Sequence, residues 1–122
     1  MYIAANLTED SIKALKEKIP PKHAKVFYHH VTLAFNPSRE IFEKYKDLIG
    51  KEIDLQVFGY CHDDRGQAVL VDLDVLVEKE IPHITLSCNQ ETKPFYSEAL
   101  VQKKTNYGNV YIKLKAVISI ND

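Results

Sequence analysis

Cysteine is scarce in this sequence, and its positive and negative charges nearly balance. Only Cys61 and Cys88 occur among 122 residues, no C-x-x-C spacing is present, and the formal net charge is −1. Two such cysteines indicate neither a disulfide framework nor a zinc site built on cysteine pairs, so a reducing intracellular compartment is expected. A protein that coats duplex DNA needs a basic excess for its many phosphate contacts, and the charge balance excludes that class.

Long apolar runs and low-complexity stretches are also missing. No segment approaches the roughly 20 apolar residues of a membrane-spanning helix, and residues 1–7 lack the length and the basic flank of a signal peptide. Hydrophobic residues make up 45% of the chain and charged residues 27%, which is typical of a globular domain with its own core. We therefore expect one domain over residues 1–122, a monomer in the cytoplasm (the host cytoplasm if the chain is viral), with no membrane partner.

Residue periodicity predicts strands that alternate with helices. Strands are predicted over 2–6, 25–35, 53–59, 67–74 and 110–118, with another after Ile81-Pro82; helices are predicted over 9–18, from Pro37-Ser38 to Gly50 and over 94–102; turns are predicted at 63–66 and 106–109. Thr8 is the predicted N-cap of the first helix, because it precedes two acidic residues and a helical apolar spacing.

The two halves of the chain share one order of elements. Each half runs from an apolar strand through an Asn and a proline-containing loop to a helix and an alternating strand. Two copies are too few for a solenoid. The pattern predicts an α+β, two-lobed, pseudo-twofold duplicated fold, with antiparallel sheets that form a central cleft and helices outside.

A four-residue pattern occurs once in each half. It reads His30-Val31-Thr32-Leu33 and then His83-Ile84-Thr85-Leu86. Alternation along a strand predicts that His30, Thr32, Ala34 and Asn36 share one face, opposite Val31, Leu33 and Phe35, and that His83, Thr85, Ser87 and Asn89 share one face, opposite Ile84, Leu86 and Cys88. Two imidazoles and two hydroxyls are thereby presented on the polar sides of two apolar strands.

These residue types suit the cleavage of a phosphodiester. Two histidines with ordinary pKa values near ~6.5 can act in opposite protonation states at neutral pH, one as base and one as acid. The hydroxyls of Thr32 and Thr85 can donate hydrogen bonds to the non-bridging phosphate oxygens, where charge builds in the transition state. Few carboxylates lie near either pattern to hold magnesium, so neither a metal nor another cofactor is expected.

The paired pattern, the Pro82 before its second copy and the repeated order of elements resemble the 2H phosphoesterase superfamily. That group includes the 2′,3′-cyclic phosphodiesterases of RNA repair and tRNA ligation, and phage enzymes that destroy cyclic nucleotide alarms and so evade host defence. The resemblance implies that His30 and His83 are the catalytic acid and base and that Thr32 and Thr85 bind phosphate. It implies a nucleotide or an RNA terminus as partner, and leaves open a 2′,3′-cyclic phosphate, a 2′–5′ linkage and a cyclic oligonucleotide.

Other residues are weaker candidates for substrate contacts. Base stacking is assigned to Tyr2 and Tyr107, the cleft rim to Asn36 and Asn89, and phosphate or sugar contacts to Lys93 and Ser97. His29 is interpreted as structural, on the core face beside Val31, and His23 and His62 as surface residues. Two alternatives stay open: a non-catalytic module that sequesters a nucleotide or an RNA end, and a metal site of His30, His62 and His83 without a further ligand at suitable spacing.

Overall fold

The computed structural model describes residues 1–103 and 108–122. Its strands are β1 (Tyr2–Leu7), β2 (Lys25–Val26), β3 (His30–Phe35), β4 (Glu52–His62), β5 (Gly66–Leu73), β6 (His83–Cys88) and β7 (Gly108–Asn121), and its helices are α1 (Glu9–Lys18), α2 (Arg39–Tyr45), which a 3₁₀ turn (Lys46–Leu48) extends, and α3 (Tyr96–Gln102). Strands account for 45% and helices for 23%, so the fold is mostly β. None of the helices in the described ranges is long and apolar enough to cross a membrane.

Six of the strands form one closed antiparallel barrel. The order is β6-β3-β1-β7-β4-β5, and β5 pairs back onto β6, while β2 extends β6 on its other side. The predicted two-lobed, pseudo-twofold α+β fold is therefore wrong. The strands that were predicted to form two separate sheets are joined through Ile84 of β6, which pairs with Val31 of β3 on one side and with Val69 of β5 on the other. This pairing closes the barrel and leaves no central gap between lobes.

Two of the three predicted helix starts are confirmed by capping contacts, and the third helix begins at Tyr96 without a side-chain cap. The side chain of Thr8 accepts a hydrogen bond from the backbone N–H of Ser11 at 3.3 Å, and that of Ser38 accepts one from Ile41 at 3.3 Å. Each such cap contributes about 1 kcal/mol. Gly50 follows the 3₁₀ turn with a φ of +87°, a left-handed conformation that ends the element and that glycine adopts without strain.

Two apolar clusters occupy opposite faces of the barrel wall. The larger one contains the apolar residues of both motif strands together with Leu15 of α1 and Tyr45 of α2. The smaller one lies between α3 and strands β4 and β5, where Leu100 packs near Cys61 and Leu70. Both cysteines are buried and free. Helix α3 thus packs on the face of the wall that is opposite to the main core.

A β-bulge in β3 changes which side chains of this strand face the core. Ile3 of β1 pairs with Ala34, but the next residue, Ala4, pairs with Thr32, so Leu33 is the extra residue. The inserted residue shifts the alternation of side chains between the two faces of the strand. Ala34 therefore lies in the main core, and the side chain of Phe35 is exposed. The predicted faces of Ala34 and Phe35 are therefore wrong, because strict alternation assumes a ladder without an inserted residue.

The predicted strand 25–35 is interrupted before the first motif. Tyr28 has a φ of +62°, its side chain is fully buried, and its hydroxyl donates to the carbonyl of Ile19 at 2.7 Å. A bulky residue seldom adopts this backbone conformation, and burial with a satisfied hydroxyl offsets the strain. The break puts His29 in an exposed position, so its predicted place on the core face is wrong.

Candidate active site

Both motif histidines and both motif threonines line one cleft of about 320 Å³. The complete lining is Tyr2, His30, Thr32, Phe35, Lys79, His83, Thr85, Pro94, Phe95 and Glu98. These residues come from β1, β3, β6, the segment before β6, and the start of α3. The cleft is therefore floored by the two motif strands and walled by α3.

The pairing of β3 with β6 brings the four motif residues together. Val31 is the partner of Ile84, and both side chains point into the main core. Their neighbours along each strand point to the opposite face, which is the face of the cleft. Because the strands run antiparallel, His30 and Thr85 lie toward one end of this face, and Thr32 and His83 lie toward the other. Each end of the cleft floor thus presents one imidazole and one hydroxyl.

A backbone contact holds the ring of His83. Its Nδ1 lies 2.8 Å from the carbonyl oxygen of Ile81, which only accepts, so Nδ1 carries a proton and donates. This leaves Nε2 as the ring atom that can take up or release a proton. Burial lowers the pKa of His83, although the bond to Ile81 and the nearby carboxylate of Glu98 oppose that effect.

The ring of His30 rests against Tyr2. The two ring centroids are 5.3 Å apart with an interplanar angle of 40°. Burial lowers the pKa of His30, and the positive charges that His29 and His83 carry when protonated lower it further. Both motif histidines therefore have pKa values below the ordinary 6.5 and are mostly neutral at pH 7.

The two threonines differ in their hydrogen bonds. The Oγ1 of Thr85 forms a hydrogen bond at 2.8 Å with the Oγ of Ser97, a fully buried residue on α3. For Thr32, the described part of the chain provides no side-chain hydrogen bond. The Thr85 hydroxyl donates its one proton to Ser97 on α3, whereas the Thr32 hydroxyl is free to turn toward a ligand.

Five cleft residues were not predicted from the sequence as site residues, namely Phe35, Lys79, Pro94, Phe95 and Glu98. Lys79 and Glu98 form an ion pair beside His83, and Phe35 and Phe95 are exposed at the rim. Glu98 directly follows Ser97, but adjacent positions of a helix do not share a face, so helical spacing gave no signal for it. Phe35 is hidden from a pattern-based prediction, because only the bulge in β3 turns it outward.

Tyr2 lines the cleft, whereas the side chains of Asn36 and Asn89 form hydrogen bonds elsewhere. Asn36 has a φ of +42° and accepts a hydrogen bond from the amino group of Met1, and Asn89 donates to the carbonyl of Asp64 at 3.2 Å. Neither amide lines the cleft. Both residues act here as turn residues.

The remaining candidates divide in the same way. Lys93 is exposed and contributes no lining to the cleft, while Ser97 is buried behind Thr85 and positions it. Tyr107 lies outside the described residues.

The sequence also left a metal site of three histidines open. His62 packs against Tyr60, with ring centroids 5.1 Å apart, and does not line the cleft of His30 and His83. Within residues 1–103 and 108–122, no group of three or more His, Cys, Asp or Glu side chains is arranged to hold a metal ion.

A larger cleft, about 820 Å³, lies between α1 and strands β4, β5 and β7. It contains none of the predicted site residues. Its acidic lining includes Asp10, Asp54 and Asp72, which would repel a phosphate. Size alone therefore does not identify the site, and the chemistry of the side chains favours the smaller cleft.

Comparisons with known proteins give one family. No curated protein matches this chain. A family model described as the fungal tRNA ligase phosphodiesterase domain matches residues 9–120, which include both motif strands and every helix. The chain therefore belongs to the family of fungal tRNA ligase phosphodiesterase domains.

Proposed function

We propose that this protein hydrolyses the 2′,3′-cyclic phosphate at an RNA 3′ end, with His30 and His83 as general acid and base. The observation that carries the proposal is the single cleft shared by both motif histidines and both motif threonines. The family description, which names a phosphodiesterase domain of tRNA ligases, favours an RNA end over an unrelated phosphodiester.

The proposed reaction is a displacement at phosphorus by water. One histidine, in its neutral form, takes a proton from the attacking water as the new P–O bond forms. The bond between phosphorus and one ribose oxygen breaks on the opposite side, and the other histidine, in its protonated form, gives that oxygen a proton. The product is a ribose monophosphate with one free hydroxyl, and the histidines have exchanged their protonation states.

The geometry of His83 suits either role. Its Nδ1 donates to Ile81 in both protonation states, so Nε2 alone takes part in transfer. His30 has no such backbone contact within the described residues and is instead oriented by Tyr2. Orientation of each ring before the reaction lowers the cost of reaching the transition state.

The threonines would stabilise the charge that develops on the phosphoryl oxygens. Thr32 and Thr85 lie toward opposite ends of the cleft floor, so a phosphate between the histidines can receive one hydroxyl from each strand. Donors of this kind act most strongly when they are fixed before the charge appears. In the structure Thr85 donates its proton to the Oγ of Ser97, so Thr85 can donate to a phosphate only if this bond reverses and Ser97 donates to the Oγ1 of Thr85.

The testing experiment is a hydrolysis assay in EDTA, followed by chromatography or phosphorus NMR. Substrates are a cyclic-phosphate-ended RNA, a 2′,3′-cyclic mononucleotide, a 2′–5′ dinucleotide and a 3′–5′ cyclic dinucleotide. We expect turnover of the cyclic-phosphate substrates, and a loss of at least about 100-fold in kcat for His30→Ala and for His83→Ala. His62→Ala is the matched control, because this histidine is partly buried but lies outside the cleft, and it should keep full activity.

Other results would contradict the proposal in distinct ways. Binding of the RNA end without turnover would indicate a sequestering module. Turnover of only the 2′–5′ or 3′–5′ compounds would move the substrate to an open or a cyclic oligonucleotide linkage. Activity that EDTA abolishes would replace the proposed mechanism with a metal-dependent one.

A further inference from the structure

A second pocket adjoins the cleft of the candidate active site. Its volume is about 270 Å³, and it shares with the cleft the four motif residues, Tyr2 and Pro94. Two residues line this adjoining pocket but not the cleft, namely Phe27 and His29, and both precede the first motif strand. The residues that line only the cleft are Phe35, Lys79, Phe95 and Glu98.

Backbone hydrogen bonds place the two pockets toward opposite ends of the motif strands. The N–H of Phe27 donates to the carbonyl of Leu86 at 2.8 Å, so this segment lies beside the last part of β6. The N–H of Glu78 donates to the carbonyl of Leu33 at 2.8 Å, so the segment with Lys79 lies beside the last part of β3. Because β3 and β6 are antiparallel, these two ends point in opposite directions. The motif histidines and threonines therefore lie between the two pockets.

His29 is fixed at the adjoining pocket by its backbone, while its side chain is exposed. The N–H of Leu7 on β1 donates to the carbonyl of His29 at 2.9 Å, and the preceding residue, Tyr28, is buried in the main core. An imidazole has at least one N–H to donate in either protonation state, and it is a cation when protonated. His29 can therefore offer a hydrogen bond or a positive charge to a ligand in this pocket.

The charged groups of the two pockets differ. The cleft contains the carboxylate of Glu98, which pairs with Lys79. Among the described residues, no carboxylate lines the adjoining pocket, whereas His29, His30 and His83 all do. These three histidines are not arranged to hold a metal ion. Imidazoles without a carboxylate favour an anion, so His29 provides for a negative group in addition to the phosphate at the motif residues.

The proposed substrate carries such a second anion close to its cyclic phosphate. The 5′ oxygen of the terminal nucleotide is joined to a phosphate that links it to the preceding nucleotide. We propose that His29 binds this linking phosphate in the adjoining pocket, so that the protein prefers the end of an RNA chain to a 2′,3′-cyclic mononucleotide. This inference rests on the proposed function and adds to it a binding residue and a substrate class.

The direction of the RNA chain follows from the same charges. The linking phosphate has to leave the motif residues through one of the two pockets. The carboxylate of Glu98 makes the cleft the less favourable side for it. The terminal nucleoside then occupies the larger cleft, and the preceding nucleotides leave past His29, where the adjoining pocket opens to solvent.

The first test removes the charge of the linking phosphate from the substrate. Two dinucleotides that end in a 2′,3′-cyclic phosphate are compared, one with a phosphodiester linkage and one with a neutral methylphosphonate linkage. In both, the first nucleotide is 2′-O-methylated so that the linkage is stable. We expect kcat/KM of the wild-type protein to be about 5- to 20-fold higher for the charged dinucleotide, an effect between those of an exposed ion pair and of a hydrogen bond to a charged group.

Two results of this test would overturn the inference. One is an equal kcat/KM for the charged and the neutral dinucleotide. The other comes from a 2′,3′-cyclic mononucleotide with and without a 5′-phosphate. An advantage for the 5′-phosphate without any advantage for the charged linkage would mean that the pocket binds a terminal phosphate and not the linkage within an RNA chain.

The second test removes the imidazole of His29. In His29→Ala, the ratio of kcat/KM between the charged and the neutral dinucleotide should fall below about twofold, whereas His29→Arg keeps a positive charge and should retain a ratio of about fivefold or more. Because the ratio compares two substrates on one protein, a general loss of stability or activity cancels from it. His62→Ala is the matched control, since His62 lines neither pocket, and it should keep the wild-type ratio.

The outcomes distinguish this inference from the proposed function. If the wild-type protein cleaves none of the cyclic-phosphate substrates, the proposed function has failed. If it cleaves both dinucleotides equally well, or if His29→Ala keeps the wild-type ratio, only the role of His29 has failed. Folding should be little affected in either His29 variant, because the side chain is exposed and the carbonyl that accepts from Leu7 is retained.

Discussion

At the scale of single residues, the lowered pKa values of His30 and His83 determine how activity responds to pH. The proposed mechanism needs one histidine neutral and the other protonated, so kcat/KM should follow a bell-shaped curve between the two apparent pKa values of the pair. Burial lowers the pKa of both histidines below 6.5. We therefore predict that the maximum of kcat/KM lies below pH 6.5, measured with a cyclic-phosphate-ended RNA.

The same pKa shifts have a consequence for stability. Burial disfavours the charged imidazole, so the neutral form is preferred in the folded chain. The stability that these histidines contribute is present above their unfolded pKa of about 6.5 and is lost as the pH falls through the lower folded pKa. Rate measurements should therefore be accompanied by thermal melts. A maximum of kcat/KM above pH 7 with the fold intact would contradict the predicted pH dependence.

A second prediction concerns the hydrogen bond between Thr85 and Ser97. Ser97→Ala removes the partner that orients the Thr85 hydroxyl, while Thr85→Val removes the hydroxyl itself. We expect kcat to fall about 3- to 10-fold for Ser97→Ala and about 10- to 100-fold for Thr85→Val, because a preorganised donor acts mainly on the transition state. KM should change less than kcat in both variants. Equal losses in KM alone would assign the pair to ground-state binding.

At the scale of elements, one buried amide attaches the segment after α1 to the barrel wall. The Oε1 of Gln67 on β5 accepts from the backbone of Lys22 at 3.1 Å and from the hydroxyl of Ser87 at 2.6 Å. Its Nε2 donates to the carbonyl of Pro20 at 3.0 Å and to the hydroxyl of Tyr60 at 3.1 Å. This single side chain thus links β4, β5 and β6 to the loop that precedes β2.

We predict that Gln67→Leu lowers the free energy of unfolding by about 2 to 4 kcal/mol, because it leaves the buried Ser87 hydroxyl and three partly buried groups without their partner. Urea denaturation measures the change. Gln56→Leu is the matched control: Gln56 lies half-buried on the neighbouring strand β4, and its loss should cost less than about 1 kcal/mol. Similar values for the two variants would mean that the hydrogen bonds of Gln67 add little net stability.

At the scale of the whole molecule, β1 is needed to close the barrel. It lies between β3 and β7, and its first residue, Tyr2, lines the candidate active site. The family match begins only at residue 9, the first residue of α1, and therefore excludes β1. A chain trimmed to the matched range would lose a central strand of the barrel and leave two unpaired edges.

We therefore predict that a chain of residues 9–122 does not unfold cooperatively. Circular dichroism melts and proton NMR dispersion would show the loss of a unique fold, while the full chain gives a sharp transition. The control trims the other end by removing Asp122 alone, which lies beyond the last strand. A cooperative melt for residues 9–122, within about 5 °C of the full chain, would show that β1 is dispensable.

The limits of sequence reasoning are visible in particular residues. Most strands follow from local alternation, and the first two helices begin at Thr8 and Ser38 as predicted, whereas the break between β2 and β3 was not predicted. The barrel could not be predicted in this way, because Ile84 pairs with Val31 and Val69 from distant segments of the chain. No local pattern indicates which strands will be neighbours. The bulge at Leu33 similarly depends on the register with β1.

For the candidate site, the sequence pointed to the four motif residues but not to most of the side chains around them. The motif residues depend only on alternation within two short strands, and the structure places all four in one cleft. Phe35 needs the bulge, and Lys79 and Glu98 need the packing of α3 against the segment before β6. These features arise from tertiary contacts and have no signature within a short window of sequence.

The antiparallel arrangement of the motif strands has a chemical consequence for the product. Because each end of the cleft floor holds one histidine and one threonine, either ester oxygen of a cyclic phosphate can face an imidazole. Whether the reaction yields a 2′- or a 3′-monophosphate is then decided by how the rim orients the ribose. If the proposed reaction occurs, we expect changes at the rim residues Phe35 or Phe95 to alter the isomer formed more than the rate.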